Sequence, residues 1–126
     1  MPSTEASKTV LVVDDNPVER EGLAAVLQQE GYNTMTAADG KEALDRLRGD
    51  PSPDLLLLDM LMSEHDGWQL LRLLRKTPAL APIPVVIITG LDIASPEWAS
   101  SLGAAGLLHK PIDAEELHRE VERWLR

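Results

Sequence analysis

The stretch that decides the fold is LLLLDMLMSEHDG, residues 55–67. Its four consecutive leucines follow a segment that contains Pro51 and Pro53, and they predict a short strand buried on both faces, as in a parallel sheet. The strand ends in a carboxylate, Asp59. If its tip lies at the carboxyl edge of the sheet, that carboxylate stands where open α/β sheets bind ligands. The alternative is that Asp59 only begins the turn into the next helix, and this stretch alone is compatible with both interpretations.

Three other apolar runs in the chain also end in polar residues. They end in the acids Asp14 and Asp15, in the hydroxyl of Thr89 and in the amine of Lys110. If the strands lie side by side and parallel, these ends meet at one edge of the sheet and the polar groups converge in one cleft. Independent turn residues would rarely produce that set, so the pattern favours a functional role for Asp59.

At these residues the chain resembles the receiver domain of bacterial two-component response regulators. The resemblance rests on strand ends and their surroundings, in this order: Asp14-Asp15, Asp59-Met60-x-Met62, Asp66-Gly67, Thr89 and Lys110-Pro111. The separations from Asp15 to Asp59 and from Asp59 to Thr89 are typical of that family. The resemblance covers residues 8–126, which we expect to form one receiver domain after a disordered tail at residues 1–7.

The order of the predicted elements indicates an α/β fold. Strands are predicted near residues 9–13, 33–37, 55–58, 85–88 and 107–109, with a third helix at 68–76 and helix caps at Asn16, Asp39, Ser95 and Asp113. Glu19, three residues after Asn16, completes a spacing like that of a capping box. Strands that alternate with helices imply right-handed crossovers, and therefore a five-stranded parallel sheet with helices on both faces. The resemblance implies the flavodoxin-like (βα)5 arrangement with strand order 2-1-3-4-5.

Composition limits the classes of function. The 126 residues suffice for one domain with a single core, and the absence of cysteine excludes disulfides and Cys-ligated metal sites. A formal charge of −9, with one tyrosine and no phenylalanine, argues against direct nucleic-acid binding. The start is polar, and no run approaches the ~20 apolar residues of a membrane span. We therefore expect a cytoplasmic protein that does not enter a membrane.

Three acids in one cleft repel one another unless a cation lies among them, which indicates a metal site independently of the resemblance. The resemblance implies that Mg²⁺ is held by Asp15, Asp59 and the main-chain carbonyl of Leu61, with Asp14 acting through a metal-bound water. Such all-oxygen ligation suits this ion. The resemblance also implies that Asp59 is the nucleophile, which accepts a phosphoryl group as an acyl phosphate.

Two further groups complete the expected site. Lys110 would supply positive charge, and Thr89 a hydroxyl donor, to the oxygens of the phosphoryl group. The resemblance implies a cis peptide bond before Pro111, in a turn that aims the lysine. The plainer alternatives are that Lys110 only pairs with a carboxylate and that Thr89 is a turn hydroxyl.

The chain departs from the family pattern at four positions. Ser63 stands where the family often has proline. Leu107 stands where an aromatic side chain usually changes rotamer on activation, so we expect this switch position to respond less. Leu61 and Leu91 place apolar side chains where water would approach the phosphoryl group, which predicts slow self-dephosphorylation.

The function expected from these residues is a phosphorylation-controlled switch. The resemblance implies a histidine kinase or phosphotransfer protein as phosphodonor, and an output partner that binds the fourth helix, fifth strand and last helix. Beyond self-catalysed phosphotransfer and autodephosphorylation, no enzymatic activity is expected. One alternative is a flavodoxin-like cofactor-binding module, which would need a phosphate-cradling loop where the chain has Asp14-Asp15-Asn16-Pro17. Another is an aspartyl-phosphate phosphatase, which would need further loops or a cap.

Overall fold

In a computed structural model of the chain, residues 8–62 and 66–125 are described. The expected tail at residues 1–7 and the departure at Ser63 lie outside these residues. The strands are β1 (Thr9–Val13), β2 (Asn33–Ala37), β3 (Leu55–Asp59), β4 (Val85–Thr89) and β5 (Gly106–His109). The helices are α1 (Pro17–Gln29), α2 (Gly40–Leu47), α3 (Asp66–Lys76), α4 (Pro96–Ser101) and α5 (Ala114–Leu125).

The five strands form one parallel sheet in the order β2-β1-β3-β4-β5. This confirms the predicted α/β class and strand order. Strands β1, β3 and β4 lie in the middle of the sheet and are buried along their whole length. Within the described residues, no helix has the length and apolar character needed to cross a bilayer.

The sheet separates two apolar cores, and the leucines of β3 contribute to both. Leu56 and Leu58 pack in the core covered by α2, α3 and α4. Leu55 and Leu57 pack in the core covered by α1 and α5. Successive side chains of a strand point to opposite faces, so a strand covered on both faces needs an unbroken apolar run. This accounts for the four leucines that precede Asp59.

The four predicted helix caps are present. Each side chain accepts a hydrogen bond from a backbone N–H of its helix: Asn16 from Val18 and Glu19, Asp39 from Glu42, Ser95 from Trp98, and Asp113 from Glu116. Helix α3 begins at Asp66, two residues before the predicted start.

The capping box predicted at Glu19 is wrong. The backbone N–H of Asn16 donates to Asp14 Oδ1 at 2.9 Å, and the Glu19 carboxylate contacts Lys110 instead. The first turn of α1 is therefore joined to the sheet edge through side chains at that edge.

A histidine–carboxylate pair connects α5 to the C-terminal end of α1. His118 Nδ1 lies 2.9 Å from Glu30 Oε1, and His118 Nε2 lies 3.8 Å from a Glu122 carboxylate oxygen. The hydrogen bond to Glu30 raises the pKa of His118, with Glu122 adding to the effect and Arg119 opposing it. Because the folded state favours the protonated imidazole, the pair stabilises the fold below the unfolded-state pKa of about 6.5. That stabilisation is lost as pH rises through the folded-state pKa.

We expect His118→Gln to lower the thermal midpoint relative to the parent at about pH 5.5, and to have a smaller effect at about pH 9, because the stabilisation is lost as pH rises through the folded-state pKa. Thermal unfolding at the two pH values measures this difference. The effect should be small because the pair is exposed to solvent. An equal midpoint difference at both pH values would show that protonation of His118 does not contribute.

Candidate functional site

Four of the predicted site residues lie at the carboxyl edge of the sheet. Asp14 follows β1, Asp59 ends β3, Thr89 ends β4 and Lys110 follows β5. Backbone hydrogen bonds align these ends, since Lys110 N donates to Thr89 O at 2.8 Å and Met60 N donates to Ile88 O at 3.3 Å. Parallel pairing of four strands thus places residues far apart in sequence along one edge, which is the position of ligand sites in this fold class.

Among the described residues, three aspartate carboxylates meet at this edge. One oxygen each from Asp14, Asp15 and Asp59 lies within 4.8 Å of the others. Asp14 and Asp59 are buried, with 0% and 2% of their surface exposed, whereas Asp15 is exposed. Hard carboxylate oxygens at this spacing form a donor set that fits a divalent cation such as Mg²⁺. The residues present therefore fit the metal that the sequence predicted.

The electrostatics of Asp14 point in the same direction. Burial raises its pKa to about 6, and the neighbouring charge of Asp59 adds to this, although hydrogen bonds from Asn16 N and Lys110 oppose the shift. The ionised form of Asp14 is therefore disfavoured, mainly because the carboxylate is buried. A cation among the oxygens would favour the ionised form of Asp14 and lower this pKa again.

The amine of Lys110 lies between acids that come from three parts of the chain. Its Nζ atom is 3.1 Å from Asp14 Oδ2 and 3.1 Å from Asp59 Oδ2, and it also contacts Glu19 Oε1. Burial alone would lower the pKa of Lys110, but the hydrogen bonds to Glu19 and Asp59 outweigh it and raise the pKa above its usual value. The amine thus stays protonated at neutral pH. The peptide bond between Lys110 and Pro111 is cis.

Leu61 and Leu91 occupy equivalent places beside the site. The backbone N–H of Leu61 donates to Asp59 Oδ1 at 2.9 Å, and that of Leu91 donates to Thr89 Oγ1 at 3.1 Å. The Leu61 side chain is 48% exposed and that of Leu91 is half-buried. The groups beside Asp59 and Thr89 are therefore backbone donors with apolar side chains.

Gly67 allows the start of α3 to lie against the end of β3. A Cβ atom at this position would lie 2.8 Å from Asp59 O and 2.8 Å from Met60 Cα, closer than carbon atoms approach backbone. Only glycine avoids this contact without moving the strand end that carries Asp59.

One residue at the site, Glu19, was missed by the sequence analysis, which assigned it to a helix cap. Its carboxylate contacts Lys110, and this contact lowers the pKa of Glu19. The signal that could have found it is its place in the first turn of the helix that follows Asp14 and Asp15, at the same edge of the sheet.

Leu107, the predicted switch position, lies away from the carboxylates. It pairs with Ile87 in the sheet register and packs, half-buried, against the core covered by α2, α3 and α4. Its role in switching stays a prediction.

Comparison with known proteins identifies the family. A sequence model of the response regulator receiver domain matches residues 10–122. The chain belongs to this family. The receiver domain is 34% identical over 117 residues to Protein PilH of Pseudomonas aeruginosa. The aligned region covers 92% of this chain and 96% of PilH. It is 39% identical over 121 residues to the response regulator MprA of Mycobacterium bovis, covering 95% of this chain and 51% of MprA. It therefore spans about half the length of MprA.

A solved structure shows the same fold. The chemotaxis protein CheY4 of Vibrio cholerae superposes with a TM-score of 0.85 at 32% identity, covering 95% of this chain and all of CheY4. The receiver fold and the order of its strands are thus common to both proteins.

Proposed function

We propose that this receiver domain is a switch that accepts a phosphoryl group on Asp59 from a histidine kinase or phosphotransfer protein, in the presence of Mg²⁺. The observation that carries the proposal is the environment of the Asp59 carboxylate. It is buried at the end of β3, within 4.8 Å of the Asp14 and Asp15 oxygens and 3.1 Å from the Lys110 amine. A carboxylate in such surroundings can act as a nucleophile if its excess negative charge is balanced.

In the proposed transfer, a carboxylate oxygen of Asp59 attacks the phosphorus atom of a phosphohistidine. The new oxygen–phosphorus bond forms as the nitrogen–phosphorus bond breaks, and the imidazole leaves with the bonding electron pair. Lys110 offers its positive charge to the phosphoryl oxygens. Thr89 Oγ1 accepts from Leu91 N, and its own proton can be donated to a phosphoryl oxygen.

The metal would be held by Asp15, Asp59 and the backbone carbonyl of Leu61, with Asp14 acting through a water. When bound, it would offset the charge of the carboxylates and of the phosphoryl group. The chain's own contribution is to fix Asp59 beside these groups, through the hydrogen bond from Leu61 N and the close packing of Gly67.

Once Asp59 is phosphorylated, we propose that the domain acts in signalling in the cytoplasm. The phosphorylated domain would bind an output partner through α4, β5 and α5, as the family resemblance implies. The net charge of −9 supports a protein partner rather than direct contact with nucleic acid. Apart from its own phosphorylation and dephosphorylation, no catalytic turnover is proposed.

Labelling with acetyl phosphate tests the proposal. We expect stoichiometric uptake of one phosphoryl group that depends on Mg²⁺. Continuous release of inorganic phosphate at many turnovers would favour an aspartyl-phosphate phosphatase instead. No uptake and no turnover would favour a cofactor-binding module, although the acids that follow β1 do not suit a phosphate-cradling loop.

Asp15→Asn tests the metal site, because it removes one ligand charge at an exposed position. We expect several-fold weaker Mg²⁺ binding in isothermal titration calorimetry. Glu21→Gln, which removes the same charge from the exposed surface of α1, is the matched control. Equal affinities for Mg²⁺ in the parent and Asp15→Asn would exclude Asp15 as a ligand.

A further inference from the structure

Lys110 has as many carboxylate contacts as it has protons to donate. An ammonium group carries three N–H donors and no acceptor. Among the residues that the structure describes, Nζ contacts three carboxylate oxygens, one each from Asp14, Asp59 and Glu19. A phosphoryl oxygen on Asp59 can therefore receive a hydrogen bond from Lys110 only if one of these contacts is released.

Glu19 differs from the other two acids in its position. Asp14 and Asp59 are buried at the sheet edge, whereas the Glu19 side chain is 45% exposed and lies in the first turn of α1. Its contact therefore engages the amine from the more exposed side of the cleft.

The first turn of α1 is fixed relative to the cleft by hydrogen bonds to one acid. Asn16 N donates to Asp14 Oδ1 at 2.9 Å, and an Arg20 guanidinium nitrogen donates to Asp14 O at 3.0 Å. Asn16 Oδ1 in turn accepts from Glu19 N at 3.1 Å. The backbone of Glu19 is thus held in place, so its carboxylate reaches Lys110 from a fixed position.

We propose that Glu19 is a positioning residue that holds the Lys110 amine in the unphosphorylated state and so weakens the phosphoryl-bound state of Asp59. The inference rests on the proposed function, because it concerns the same lysine and the same phosphoryl group. In the unphosphorylated domain the contact occupies one of the three N–H donors of Lys110. In the phosphorylated domain Lys110 leaves Glu19 for the phosphoryl oxygens, and the free Glu19 carboxylate adds a like charge beside them.

The test uses beryllium fluoride with Mg²⁺ as a mimic of the phosphoryl group. Its affinity is measured by NMR titration of the full chain, for the parent, Glu19→Gln, Glu19→Asp and Glu21→Gln. We expect Glu19→Gln to bind the mimic about threefold to fivefold more tightly, the upper part of the range measured for exposed ion pairs. Phosphoryl-Asp59 formed with acetyl phosphate should be lost more slowly in the same variant.

The other variants separate the effect of the contact with Lys110 from the effect of the negative charge at residue 19. Glu21→Gln removes one negative charge from the same helix, on the face toward Thr34 and Thr36, and should bind the mimic like the parent. Glu19→Asp keeps the charge but shortens the side chain, so it should lose the contact with Lys110 and bind the mimic more tightly than the parent, but less tightly than Glu19→Gln, because the like charge remains. The Lys110 side-chain resonance should shift in both Glu19 variants before any mimic is added. The Mg²⁺ affinity of Glu19→Gln should match that of Glu21→Gln.

The outcomes are distinct. A parent that neither binds beryllium fluoride nor accepts phosphoryl would refute the proposed function, and this inference with it. If the parent binds the mimic but Glu19→Gln binds it no more tightly than Glu21→Gln, only the inference is wrong. Parent-like affinity in Glu19→Asp would overturn it too, because charge alone would then explain the effect. A much larger loss of Mg²⁺ affinity in Glu19→Gln than in Glu21→Gln would make Glu19 a metal ligand and equally overturn it.

Discussion

Asp59→Asn is expected to abolish phosphorylation completely while the domain stays folded. The amide lacks the nucleophilic carboxylate oxygen, and no other described acid has the same combination of a buried position, a Lys110 contact at 3.1 Å and a hydrogen bond from Leu61 N. Intact-protein mass spectrometry after incubation with acetyl phosphate and Mg²⁺ measures the result. The expected outcome is one added phosphoryl group in the parent and none in the variant.

The fold should tolerate Asp59→Asn because the amide oxygen can still accept the hydrogen bond from Leu61 N. Lys110 keeps its contacts with Asp14 and Glu19. The free energy of unfolding should therefore change by about 1 kcal/mol, the scale of one exchanged hydrogen bond. Asp45→Asn, at an exposed position on α2, is a matched control that should be labelled like the parent. Full labelling of Asp59→Asn would show that another residue is the acceptor.

The positions of the site residues were predictable because the sheet imposes them. An unbroken apolar run such as residues 55–58 has to be a strand covered on both faces, and its carboxyl end has to lie at the edge shared by the other parallel strands. This places Asp14, Asp59, Thr89 and Lys110 at one edge, as the structure shows. The strand order itself came from the family resemblance, because periodicity does not specify which strands are neighbours.

The role of Glu19 was not predictable from local sequence. An acid three residues after a helix cap can turn back to the cap or reach another element, and both choices have the same local pattern. The choice depends on Lys110, which is 91 residues away in the chain. The close approach of Gly67 to the Asp59 backbone was likewise not predictable from local sequence, because it depends on how α3 packs against the end of β3.

The second large effect is expected on the lifetime of the phosphorylated state. Hydrolysis of phosphoryl-Asp59 needs a water in line with the phosphorus atom, oriented by a polar group. The side chains of Leu61 and Leu91 cannot orient a water, and their backbone N–H groups are already bonded to Asp59 Oδ1 and Thr89 Oγ1. The parent should therefore lose its phosphoryl group slowly.

Replacing Leu61 with asparagine and Leu91 with glutamate should shorten this lifetime roughly tenfold. A well-placed general base contributes ~10²–10⁴-fold, and a side chain that only orients a water contributes less. The decay is measured as release of inorganic phosphate after excess acetyl phosphate is removed. Leu73→Asn, at a leucine of α3 that is also partly exposed, controls for a polar substitution elsewhere on the surface. If the double variant loses phosphate no faster than this control, the apolar side chains at 61 and 91 do not limit the approach of water. The rate of hydrolysis would then have to depend on groups that the parent and the double variant share, such as Lys110 and its contacts.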